Sequence, residues 1–340
     1  MSTPLEPFRR VTAASRNASP RVSIVTATRN RPELLLRALK SIRRQTLRNF
    51  ESIVVDDGSR PEVFETYRHL WASELDERFM LCEPVAPNTP GSGPAGARNR
   101  GIQEARGDYV AFLDDDDVWV QDSYLEVATN LMDERGANYF FGHLEGVRED
   151  RFMNPGWVPA PVSLYKPQQI HNLPAVYWIP RRDLIHLAQR FLIHPCNSIV
   201  RRTILSDIGG FLEYLRHSSE DTNLMLRIID RINGALYRSE CVTHYRLPTN
   251  DAEQAISSSL TRDYLTHKLS NITCMHHLRI RSISDEMRRC ARAKEAWAYR
   301  EISDYMARQG DFKSARIYAR QALCTFATLG GGSAFSRFFS

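Results

Sequence analysis

The 340-residue chain has only six cysteines, and no two of them form a CxxC pair. A structural zinc site or a disulfide-stapled framework is therefore not expected, and reduced thiols in a cytoplasm are the plain reading. No apolar stretch is long enough to span a bilayer. The opening MSTPLEPFRRVTAASRNASP lacks an apolar h-region, so it reads as a loose tail over residues 1–20 and not as a secretory signal. A basic stripe with interleaved aromatics is also missing, which sets nucleic acid aside as a partner. The remaining composition is that of a globular chain, 42% hydrophobic and 25% charged, with a net charge of +5. Mild basicity suits anionic small molecules or an anionic membrane face, and a solvated basic surface would read the same way.

From Arg21 short apolar runs alternate with helical spacing. VSIVTAT (Val22 to Thr28) is β-branched and short, as a buried parallel strand should be. Asn30 is expected to cap the helix that follows, with Pro32 in its first turn and Leu35, Leu36, Leu39 and Ile42 on one face. ESIVVDDGS, RFMLCEP and YVAFL read as further strands, separated by a helix from about Pro61 to Leu75 and by a Gly/Pro-rich loop with a helix through Arg106. This order predicts an α/β domain with a mainly parallel sheet over residues 21–250.

In such sheets ligands bind beyond the carboxyl ends of the strands. Three of those ends are polar: Thr26, Thr28, Arg29 and Asn30; Asp56, Asp57, Gly58 and Ser59; and Asp114, Asp115, Asp116 and Asp117. A buried strand does not tolerate four adjacent carboxylates unless something compensates their charge. A divalent cation held by hard oxygens beside a bound diphosphate would do so. The alternative is an exposed, solvated turn, but the run directly follows YVAFL and precedes Trp119. An EF-hand is set aside, because the loop order and its distal Glu are missing.

VSIVTATRNRPELLLRALKSIRRQT, ESIVVDDGS, GPAGARNRGI and GDYVAFLDDDD, in this order, resemble the donor half of a family 2 glycosyltransferase. HPCNSIVRRTILSDIGGF and SSEDTNLMLRI resemble that family's acceptor-side strand and ED motif, so the likeness covers roughly Arg21 to Leu247. The resemblance implies a GT-A fold and an inverting transfer of a sugar from a nucleotide-diphosphate donor, UDP-sugars being commonest, to a glycan or lipid-linked acceptor. It implies Mn²⁺ or Mg²⁺ at Asp116 and Asp114, with Asp117 orienting the loop or the sugar. It places the donor against Thr26, Thr28, Arg29, Asp56, Asp57, Arg98, Asn99, Asp114 and Asp115. Asp221 matches the general base, with Glu220 beside it, and His194 to Ser198 fall near the acceptor. Read alone, VVDDGS is also a strand and turn, and SSED also a helix start where Ser caps and acids meet the dipole. His194, His217 and His244 each read more readily as structural or surface residues.

One departure matters. After the ED motif this chain has HYRLPTN, with Pro248 where many relatives carry a His; His244, four positions earlier, is a candidate replacement at the metal. Trp157, Tyr165, Tyr177 and Trp178, between the acid run and the acceptor strand, are candidates for stacking on an acceptor or packing on the sheet. From Asp251 the strand signals stop, and residues 251–340 are expected to be helical, with a tetratricopeptide-like hairpin packing on the catalytic domain or a partner. The final GGGSAFSRFFS reads as a frayed tail or a membrane contact. A sugar nucleotidyltransferase would also use a Gly-rich loop and paired acids, but has no use for the ED helix. A non-catalytic nucleotide-sugar-binding scaffold with a partner-binding tail would have no need of both Asp221 and the acid run. Peripheral contact with the inner face of the cell membrane fits the expected acceptor.

Overall fold

In the computed structural model, residues 8–10, 19–84, 91–148, 151–153, 168–170, 175–190, 193–215, 219–247 and 264–327 are described. Trp157, Tyr165, His217, Pro248, the first part of the Gly/Pro-rich loop and the final tail lie outside them.

The donor half follows from local pattern. β2 (Val22–Thr28), β3 (Phe50–Asp56), β4 (Phe79–Pro84) and β5 (Tyr109–Phe112) alternate with α1 (Pro32–Arg43), α2 (Pro61–Glu74) and α3 (Gly93–Glu104), after a short β1 (Phe8–Arg10). β2 pairs parallel with β3 and β5, and β3 parallel with β4, as strands joined through crossover helices do. The strands are buried on both faces: Ile53 and Val55 face one core cluster, and Val54 faces the other. Gly101 of α3 lets that helix lie close on β2, where a Cβ would overlap the Val25 side chain. β1 adds an antiparallel edge strand against β4, so part of the expected loose tail is paired.

Beyond β5 come β6 (Val118–Trp119), α4 (Tyr124–Arg135), β7 (Tyr139–Arg148), β8 (Arg151–Met153), β9 (Gln168–Gln169), β10 (Val176–Pro180), α5 (Arg181–Arg190), β11 (Ser198–Arg201), α6 (Arg202–Ile208), α7 (Glu220–Arg231) and β12 (Gly234–Arg246). The sheet order is β1-β4-β3-β2-β5-β11-β7-β12-β10-β9, with β6 on β12 and β8 on β7. The sheet is mixed: β11 is antiparallel to β5 and β7, while β12 is parallel to β7. Tyr177 and Trp178 of β10 pack against the two core clusters, so the sheet is where these aromatics are spent.

One capping expectation is corrected, and a second capping possibility is not realised. Asn30 lies at φ 56° and does not cap α1; its side-chain oxygen accepts from the Arg60 amide at 2.8 Å and so braces the next loop. Ser219, before α7, lies at φ 71° and makes no side-chain cap bond; its hydroxyl donates to Asn271 instead.

The C-terminal α8 (Tyr264–Arg281), α9 (Asp285–Arg308) and α10 (Phe312–Ala327) are helical throughout. Cys274, Met275 and Leu278 of α8, and Met287, Cys290 and Ala291 of α9, belong to the same core cluster as Leu224 and Ile228 of α7. The buried Asp230 of α7 accepts from the amides of Ile283 (2.7 Å) and Ser284 (3.2 Å) and fixes the start of α9. Among the described residues, no helix is long and apolar enough to cross a membrane. All six thiols are free.

Candidate active site

The carboxyl ends of β2, β3 and β5 do converge, and each polar residue there has a specific partner. Asp56 accepts from the Ser59 amide (3.1 Å) and hydroxyl (2.5 Å), closing a turn that turns the chain into α2. Burial is the main cause that pushes its carboxyl up to about 6. Asp57 accepts from the amides of Ser92 (2.7 Å) and Gly93 (2.9 Å), so it holds the start of α3. Gly91 is required there, since a Cβ would come 2.5 Å from Asp57 oxygens. Thr26 is fully buried within the sheet, its hydroxyl without a hydrogen-bond partner, whereas Thr28 at the strand end donates to Asp115 at 2.8 Å. Arg29 is exposed and close enough to Asp56 to favour that carboxylate. Asn99 ties α3 to the turn after α6, bonding the Phe211 backbone at both its N–H (2.7 Å) and its carbonyl (3.0 Å).

The acid run is the electrostatic centre. Arg31 NH1 bonds Asp115 and Asp116, each at 3.0 Å. Sequence reasoning passed over Arg31, although the basic RNR loop after β2 carries the signal. Tyr67, also missed, accepts from the Arg31 amide at 3.0 Å and meets the Thr28 hydroxyl. The Asp117 carboxylate accepts from the Arg246 amide at 2.9 Å, and its other oxygen is buried with no partner.

The deepest contact joins the two halves of the chain. Arg98, buried on α3, bonds Asp114 Oδ1 at 2.6 Å and Asp221 Oδ1 at 3.0 Å. Its guanidinium also lies over the Phe211 ring, 5.4 Å from the centroid. Burial works against the Arg98 charge, but Asp114, Asp221 and Glu220 together outweigh it and hold the pKa above its ordinary value. Burial would raise Asp114, yet Arg98, helped by His194 and Arg31, holds it below the usual carboxylate range. His194 lies beside these acids. Its Nε2 stands 3.7 Å from Asp221 and 4.0 Å from Asp114, and its ring packs edge-on against Tyr245 at 5.2 Å.

The other three acids behave oppositely. Burial, then Asp116, pushes Asp115 up to about 7. Burial also raises Asp116 and, with Asp116 and Asp114 repelling it, raises Asp117 well above the carboxylate range. Several hard oxygens short of positive charge, one of them buried without a partner, fit a divalent cation. His244 is not brought to this group. Thr243 and Tyr245 face it, and alternation along β12 points His244 to the other side of the strand, beside Glu145.

A family model described as glycosyl transferase family 2 matches residues 23–209, which takes in β2, the Asp57 turn, α3, the acid run and β11. The chain belongs to glycosyl transferase family 2. Within the family it is 35% identical over 195 residues to the succinoglycan biosynthesis protein ExoW of Rhizobium meliloti, covering 56% of this chain and 57% of that one. It is 28% identical over 145 residues to the Escherichia coli UDP-Glc:alpha-D-GlcNAc-diphosphoundecaprenol beta-1,3-glucosyltransferase WfgD, covering 43% and 54%. The S. aureus TarS 1–349 structure in complex with UDP-GlcNAc superposes with a TM-score of 0.62 at 16% identity, over 88% of this chain and 90% of that one, and confirms the GT-A fold. The chain spans less than two thirds of the length of these curated relatives, and other relatives are matched over only 17–29% of theirs.

Proposed function

We propose that this family 2 member transfers a sugar, with inversion, from a nucleotide-diphosphate donor of the UDP-sugar type to a hydroxyl of a glycan or lipid-linked acceptor in surface polysaccharide synthesis. The observation that carries the reading is the Arg98 bridge, which sets Asp114 of the acid run and Asp221 of the ED helix one guanidinium apart. The UDP-GlcNAc of the TarS structure and the UDP-Glc and diphosphoundecaprenol in the WfgD name support the donor class and the acceptor class. An acceptor of that kind would bring the protein to the cytoplasmic face of the membrane.

Asp116 and Asp114 would hold Mn²⁺ or Mg²⁺, which stabilises charge developing on the leaving diphosphate. Thr28, Arg29, Asp56, Asp57, Arg98, Asn99 and Asp115 form or brace the donor side. Asp221 takes the proton of the attacking hydroxyl as the new C–O bond forms and the anomeric carbon–phosphate oxygen bond breaks, its electron pair leaving with the nucleoside diphosphate. Arg98 holds Asp221 by Oδ1, which leaves Oδ2 on the His194 side to receive the proton. Glu220 lies beside it at the first position of α7.

The test is nucleotide release from UDP-, GDP- and dTDP-sugars by the full chain, without acceptor, in Mn²⁺ and in chelator. Metal-dependent release from a UDP-sugar is expected. Equal release in chelator would remove the metal, and nucleotide binding without release from any donor would favour the scaffold reading.

A further inference from the structure

A second set of ligating side chains sits on the other side of β12. Glu145 of β7 and Cys241 and His244 of β12 bring a carboxylate oxygen, Sγ and an imidazole nitrogen within 4.8 Å of one another. All three residues are half-buried. A strand irregularity puts them there. In the parallel β7–β12 pairing His244 stands opposite Glu145, and Cys241 opposite His143. Cys241 and His244 are three residues apart, so a regular strand would point them to opposite faces. Register shifts on either side of Cys241 turn the thiol to the His244 face and leave Val242 and Thr243, adjacent in sequence, both buried. His143, two residues from Glu145 on the same face of β7, has a buried Nδ1 with no hydrogen-bond partner. The Phe152 ring covers His244 edge-on at 5.4 Å.

We propose that Glu145, Cys241 and His244, with His143 adjoining, bind a borderline-soft divalent cation of the Zn²⁺ class, at a site separate from the hard-oxygen group at Asp114 and Asp116. A thiolate, imidazole and carboxylate set selects Zn²⁺ over Mg²⁺ or Mn²⁺. Tetrahedral zinc ligands stand about 3.3–3.8 Å apart, so modest rotamer changes bring these three in. Cys241 would bind as its thiolate, so binding forms the S–metal bond and releases one proton. The bound ion would pin β12 to β7 directly before Arg246, whose amide holds Asp117. This site does not depend on the transferase reading.

The test uses the full chain, stripped with chelator and titrated with Co²⁺ as a spectroscopic stand-in. One equivalent should bind with thiolate-to-cobalt charge-transfer absorption, displaced by Zn²⁺ and untouched by excess Mg²⁺. Cys241→Ser should abolish that band, and His244→Ala should weaken Zn²⁺ about 10–100-fold. Zn²⁺ should raise the melting temperature of the parent and not of Cys241→Ser, while both should melt alike in chelator, showing that the variant is folded. The control is Cys196→Ser, because Asp117, His194 and Cys196 form the other thiol-containing group among the described residues. It should keep the band. No charge-transfer band in the parent, a band that survives Cys241→Ser, or one lost in Cys196→Ser would overturn the proposal.

Discussion

Arg98 NH1 bonds Asp221 Oδ1 at 3.0 Å across 123 residues of sequence. The same guanidinium bonds Asp114, so one cation orients the carboxylate proposed as base and an acid of the donor side. A charge-assisted bond of this kind fixes a buried carboxylate more firmly than a neutral one.

Asp221→Asn keeps the shape, leaves Arg98 paired with Asp114, and removes the proton acceptor. We expect donor affinity within about twofold of the parent and kcat lower by roughly 10²–10⁴-fold, the usual worth of a positioned base. Glu220→Gln should cost less. Single-turnover assays with a working donor and acceptor read both effects. Near-parental turnover in Asp221→Asn removes the assignment, and a collapse confined to Glu220→Gln moves the role there.

Arg31 neutralises Asp115 and Asp116 together, and removing one partner of a buried ion pair leaves the other uncompensated. Arg31→Ala should lower the melting temperature in chelator by several degrees, about 1–3 kcal/mol. Mn²⁺ with UDP should recover most of that loss, since the cation supplies the missing charge. Equal losses in chelator and in Mn²⁺ with UDP would contradict a cation among these acids.

The Asp56 carboxyl is raised from 3.8 to about 6, so between those values the folded chain holds a proton that the unfolded chain has lost. The group therefore contributes nothing unfavourable below about pH 4, and a destabilising effect that grows through about pH 6 and is constant above it. Asp56→Asn keeps an oxygen for Ser59 and cannot ionise. Its stability relative to the parent should rise between pH 4 and 6 and then level off, as denaturant melts at closely spaced pH values would show. A pH-independent difference would rule out the raised pKa.

A chain ending at residue 263 loses the α8 and α9 side chains that share the α7 core, and leaves Asp230 without its partners on Ile283 and Ser284. At about 1.5–3 kcal/mol per large buried apolar side chain, that loss is comparable with a whole domain's stability. It should be insoluble or melt far below the parent. A chain ending at Gly310 loses α10 and the residues after it; Phe312, Ile317 and Leu323 of α10 are exposed, and the shortened chain should remain folded. A chain ending at 263 that melts at the parental temperature would show that these helices do not buttress the domain.

Much of the donor half was legible because its determinants are local. A β-branched run buried on both faces, Leu at helical spacing, and Gly and Pro at the breaks specify β2, α1, β3 and β5 wherever they occur. The Asn30 cap fails for the converse reason: Asn has the right chemistry for capping, but a tertiary partner at Arg60 claims its side chain.

The sequence by itself determined the strand and helix order and the clustering of acids at the end of β5, because neighbours along the chain dictate both. Only the tertiary structure decided which cation meets which acid. Arg31 and Arg98 divide the run between them, and His194 joins Asp221, because β11 inserts antiparallel between β5 and β7 and carries its preceding turn to the acids. Likewise, alternation along β12 set His244 beside Glu145 and Tyr245 beside His194, and two register shifts turned Cys241 to the His244 face. Strand neighbours and bulges are set by pairing between segments far apart in sequence, and a one-residue slip moves a side chain to the other face of the sheet.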